Sequence, residues 1–162
     1  NPTYFSPQGG LRASAADLGV VMQVLLNGGS QKGVEILKPE TVSEMLAPVW
    51  TYDAALGNGA HWGEAEEGGI EDGLMTSYGL SVHITDLKDW GLSEENRKLY
   101  GHLASAYGLL GQFWFDPETG DGVVILLTGM NDDPAKSTPG TSPLYRVEEE
   151  LLRWWVEEYL DD

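Results

Sequence analysis

A chain of 162 residues, 41% hydrophobic with 6 Trp and 7 Tyr, is long and apolar enough for one domain with a packed core, and too apolar for a disordered tail. Nine basic against 26 acidic residues leave a net charge of −17, which repels nucleic acid and anionic lipid and makes both poor partners. The absence of Cys excludes disulfides, thiolate catalysis and cysteine metal sites.

No run approaches the ~18 consecutive apolar residues of a membrane span, so a chain free in water is the expectation. The opening Asn1-Pro2-Thr3-Tyr4 carries neither a basic region nor an apolar stretch of the targeting kind, and compartment is unreadable. The acidic excess reads as a solvated, self-repelling surface, with adaptation to high salt as the sharper alternative. Glu64, Glu66, Glu67, Glu71 and Asp72 cluster without the spacing of a calcium loop.

The first element opens at Ser14, an N-cap with Asp17 three residues on. Leu18, Val21, Met22, Leu25 and Leu26 follow at helical spacing, and Asn27-Gly28-Gly29 ends the helix. A shorter helix is expected from Pro39 to about Leu46, stopped by Pro48. Residues 51–75 are rich in Gly and acid with no period, and read as a long loop, either a site-lining lid or an ordinary surface loop.

Beyond it the pattern turns strand-like: Tyr78 to Ile84, Tyr100 to Ala104, Leu109 to Phe115 and Val123 to Leu127. Asp116 to Gly122 is a turn-rich linker of hairpin length between the last two. Their near-continuous apolar character predicts strands buried on both faces, so helices must cover the sheet. Ser142-Pro143 predicts the start of a final helix, with Leu144, Val147, Leu151, Trp155 and Tyr159 on its apolar stripe and a Glu149–Arg153 pair opposite. Phe113-Trp114-Phe115 and Trp154-Trp155 read as aromatic mass for the core. The order helix, helix, long loop, three or four antiparallel strands, helix implies an α+β fold, an antiparallel sheet flanked by helices.

Several segments carry a resemblance. SPQGGLRASAADLGVVMQVLLNGG at 6–29, ILKPETVSEML at 36–46, Tyr78-Gly79-Leu80 and GHLASAYGLLGQFWFDPETGDGVVILLTG at 101–129 together resemble the C-terminal part of the serine β-lactamase, penicillin-binding-protein and class C-like esterase superfamily. The resemblance implies a β-lactamase/transpeptidase-like fold. Residues 1–50 would then be the end of its helical subdomain, 51–75 the acidic Gly-rich loop, and 76–162 the strands and closing helix of its α/β subdomain.

It also implies chemistry. A Ser of S-x-x-K attacks an acyl carbonyl while a Tyr of Y-x-N or Y-x-S and the Lys handle protons, and a third motif, K/H-T/S-G, lines the cleft on a strand. The third motif falls on His102-Leu103-Ala104-Ser105, making His102 and the Ser105 backbone N–H, as oxyanion donor, the catalytic candidates. Leu103, Ala104 and Tyr107 are the candidate substrate-lining residues.

Two departures stand out. Leu103 replaces a hydroxyl that could hold a substrate carboxylate, which shifts the expectation from β-lactam or peptide toward ester. Ala104 replaces Gly on the face that alternation assigns to His102.

The first motif is missing: the residues three before the five Lys are Gly29, Glu35, Thr85, Glu95 and Asp133. No Asn follows a Tyr by two, and Tyr4-Phe5-Ser6 fits Y-x-S only formally, too close to the first helix. The expected protein is therefore a serine hydrolase whose nucleophile lies upstream of Asn1. Its expected partners are a small acyl ester or amide substrate and the N-terminal portion of the same protein or a homodimer partner. The alternative is a non-catalytic homologue that binds a ligand or peptidoglycan. No cofactor is implied. His61 and His83 lack ligand-spaced partners, so no metal is expected, and Gly9-Gly10 is a turn, with no strand before it and no Lys after it.

Overall fold

The computed structural model describes residues 11–58, 73–106, 108–129 and 140–160. The fold is α+β: among the described residues a six-stranded antiparallel sheet stands with three α-helices. Helix α1 (Ala15–Leu26) begins as its sequence predicts. Ser14 Oγ accepts from the Asp17 N–H and the Asp17 carboxylate accepts from the Ser14 N–H, so two otherwise orphaned donors are satisfied reciprocally.

A small hairpin follows, β1 (Ser30–Gln31) and β2 (Val34–Glu35), which the sequence pattern did not reveal. Its turn residues Lys32 and Gly33 both have positive φ, 49° and 79°, the twist that suits a two-residue hairpin loop. Helix α2 (Pro39–Leu46) carries Pro in its first turn, as expected.

The main sheet runs β3-β4-β5-β6-β7-β8, with β3 (Trp50–Thr51), β4 (Ser77–Tyr78), β5 (His83–Asp86), β6 (Lys98–Ala106), β7 (Leu109–Phe115) and β8 (Gly122–Thr128). The expected three or four strands become six, because two-residue strands are too short to show a period. The expected strand Tyr78 to Ile84 is a hairpin instead: it turns at Gly79, whose N–H donates to the Val82 carbonyl, and at Ser81, with φ 58°. Gly79 is required there, since a Cβ would lie 2.1 Å from the Met45 carbonyl oxygen.

The register Gly101↔Trp114↔Val123 and His102↔Phe113↔Val124 assigns successive residues to opposite faces. On one face lies the main core, in which Leu87, Trp90, Leu99 and Trp114 meet Leu152, Trp155, Val156 and Leu160. The last four belong to α3 (Arg146–Trp155) and the terminal π turn Val156–Leu160.

Helix α3 starts later than Ser142-Pro143 predicts. Gly140 N–H donates to the Leu144 carbonyl and Leu144 N–H to Ser142 Oγ, so those residues form a turn, and the extended Tyr145 is the N-cap. The buried stripe is offset accordingly. Leu152, Val156 and Leu160 lie inside with Trp155, whereas Val147, Trp154 and Tyr159 are exposed.

Two buried carboxylates fasten this helix. Trp114 Nε1–H donates to Gln112 Oε1 (2.5 Å), and Gln112 Nε2–H donates to Glu148 (2.5 Å), linking β7 to α3. Burial raises the Glu148 pKa, partly offset by the bonds from Gln112 and the Tyr145 N–H. Burial also works against the Glu149 carboxylate, but N–H and O–H donors from Ser142 and Thr141 outweigh it and hold its pKa down at about 2. The expected Glu149–Arg153 pair forms at 3.6 Å.

The opposite face is covered differently. Helix α1 packs on β8 and β7, and the pairing of β8 among the described residues is with β7. No described helix is long and apolar enough to cross a membrane.

Candidate functional site

His102 lies on β6 just past the end of β5. Strand β5 pairs with β6 only from Lys98 to Gly101, so from His102 to Ala106 that side of β6 meets no described strand. Such an edge presents backbone N–H and C=O groups to whatever enters. The imidazole is exposed and held at both nitrogens: Nδ1 lies 2.6 Å from the Leu103 carbonyl oxygen and Nε2 2.5 Å from the Tyr78 hydroxyl.

The Tyr78 ring meets His102 edge-on at 5.9 Å and stacks on His83 at 5.6 Å with 16° between planes. Burial raises the Tyr78 pKa, so at neutral pH the phenol keeps its proton and can donate it. His83 is 1% exposed and packs edge-on to Trp90 and Trp114. Burial first, then the nearby charge of His102, lowers its pKa to about 4, so it is neutral. Its Nε2 has no hydrogen-bond partner among the described residues.

Beside His102 opens a cleft of about 530 Å³. Val20, Val21, Val24 and Leu25 of α1 form one wall, Ile36, Leu37 and Met45 a second, and His102, Phe113 and Phe115 the sheet side. Among the described residues the lining is almost wholly apolar, with His102 and Ser81 as the polar exceptions.

The structure brings some of the sequence candidates together and separates others. His102 and Ala104 share a face, with Ala104 packed beside Gly111. Leu103 turns the other way and packs against the core under α3, so it does not join His102 at the cleft. Ser105 is exposed on β6 opposite Leu110, on the face of Leu103. Tyr107 lies outside the described residues, as do His61, the acidic cluster 64–72, Tyr4-Phe5-Ser6 and Gly9-Gly10. Among the described residues no group of three or more His, Cys, Asp or Glu could hold a metal ion.

Sequence reasoning missed Tyr78 as a site residue. Its only signal was membership of the Tyr78-Gly79-Leu80 segment, and no spacing rule links it to His102, 24 positions away. Compared with protein-family models and with curated proteins, the chain matches none.

Proposed function

We propose that this chain is the site-lining portion of a serine hydrolase with a β-lactamase/transpeptidase-like fold, acting on small ester or amide substrates through an acyl-enzyme. The observation that carries the reading is His102, on a strand whose edge opens beside an apolar cleft, with both ring nitrogens engaged. In this reading His102 orients or polarises the acyl group and the Ser105 N–H contributes to an oxyanion site. The nucleophile comes from an S-x-x-K segment that these 162 residues do not contain. The apolar cleft and the β8 edge receive that N-terminal portion of the protein, or a second copy.

One observation favours the alternative, a non-catalytic ligand- or peptidoglycan-binding homologue. Leu103 is directed into the core and the Tyr78 hydroxyl occupies His102 Nε2, an arrangement that serves a fixed binding surface as well as turnover.

Hydrolysis of p-nitrophenyl acetate separates the two. The chain alone is expected to be inactive. Supplied with its upstream segment it is expected to turn over, and His102→Ala should lower kcat/KM by roughly 10- to 10³-fold. An active chain 1–162 whose turnover disappears on mutating one of its own Ser residues would overturn the assignment of the nucleophile. If His102→Ala lowers only the melting temperature, the histidine is structural.

A further inference from the structure

We propose that Tyr78 is the positioning residue of His102, holding its imidazole in the Nδ1–H tautomer and in one orientation at the mouth of the cleft. The assignment follows from proton counting. The Leu103 carbonyl can only accept, so the proton of that 2.6 Å bond sits on Nδ1. A neutral imidazole carries one ring proton, so Nε2 is left with its lone pair, and the Tyr78 hydroxyl 2.5 Å away donates into it.

Tyr78 can hold that post because its own ring is fixed from behind. It stacks on His83, and His83 is buried against Trp90 and Trp114, two residues of the main core. A rigid aromatic column thus runs from the core under α3 to a ring on the cleft side. The column also lets His102 change protonation without turning. When Nε2 gains a proton, Nε2–H donates to the Tyr78 oxygen and the hydroxyl becomes the acceptor. The catalytic consequence rests on the acyl-transfer reading above, whereas the tautomer does not.

The test is a long-range ¹H–¹⁵N spectrum of the full chain at neutral pH, with His83→Phe used to assign resonances. His102 is expected to show a protonated Nδ1 and an unprotonated, hydrogen-bonded Nε2. Tyr78→Phe retains the stack on His83 and loses only the hydroxyl. It should move the tautomer ratio roughly fivefold toward Nε2–H, the ratio one hydrogen bond sustains. A purely structural tyrosine would leave that pattern unchanged, and an unchanged pattern overturns the inference. So does an Nε2–H tautomer in the unmodified chain, a result that decides the matter even if Tyr78→Phe fails to fold. With the upstream segment present, Tyr78→Phe should lower kcat by roughly tenfold with KM retained. A shifted tautomer in a protein with no hydrolysis at all upholds the positioning role and defeats only the acyl-transfer reading.

Discussion

The two faces of the sheet are made of similar residues and end in different states. Under α3, Trp90, Trp114, Leu152 and Trp155 close into a core in which Trp114 is 0% exposed. Under α1, Phe115 is buried as completely, but Phe113 is only partly buried at the cleft, and Val20 and Val21 on its helical wall remain 46% and 50% exposed. The difference is one of cover rather than composition. Helix α3 and the π turn after it bury their side chains against Trp90, Leu99 and Trp114, and Glu148 ties the helix to β7 through Gln112, whereas α1 meets β8 and β7 with Val20 and Val21 still exposed.

Val20, Val21, Val34 and Ile36, on this open side and the hairpin beside it, are exposed, as are Val147, Trp154 and Tyr159 on the outer side of α3 and its π turn.

The sharpest way to break this comparison is to hollow out the closed face. Trp114→Ala removes a fully buried ring that also donates to Gln112, and should cost about 3–5 kcal/mol, measured by urea denaturation. A cost below about 1 kcal/mol would mean that the α3 side is not the stabilising core.

The second effect is set by pH and belongs to the column between the two faces. The folded pKa of His83, about 4, lies below its unfolded 6.5, so its contribution is fully present above pH 6.5. It is lost as pH falls from 6.5 toward 4, because only the unfolded chain takes up the proton in that window. The loss amounts to about 3 kcal/mol at most. His83→Phe should flatten that part of the stability curve relative to the unmodified chain, with carboxylate titration common to both. Parallel curves between pH 4 and 6.5 would show that His83 is not buried as neutral imidazole.

The smallest effect is expected on the open face. Val20→Ser alters a half-exposed side chain at the cleft wall and should change the stability of the chain alone by less than about 0.5 kcal/mol. If the upstream segment docks in the cleft, the same substitution should weaken that association in a binding titration. A large loss in the isolated chain would mean that the cleft is already closed in solution.

Local rules determined much of this protein from its sequence. The Ser14–Asp17 capping box, the Pro39 start of α2 and the apolar run of β7 each rest on residues within one turn or one strand of each other, so they could be read without the fold. The α+β class followed from the order of those elements, and His102 from a motif read as resemblance.

What tertiary structure decided depends on distance along the chain. The turn at Gly79 and Ser81 splits one expected strand because Gly79 must pass the carbonyl of Met45, 34 positions earlier in sequence. Helix α3 starts late because Ser142 and Thr141 are drawn to the Glu149 carboxylate instead of capping the helix. Tyr78 reaches His102 only because β4, β5 and β6 lie side by side, an antiparallel pairing that no periodicity within a single strand encodes.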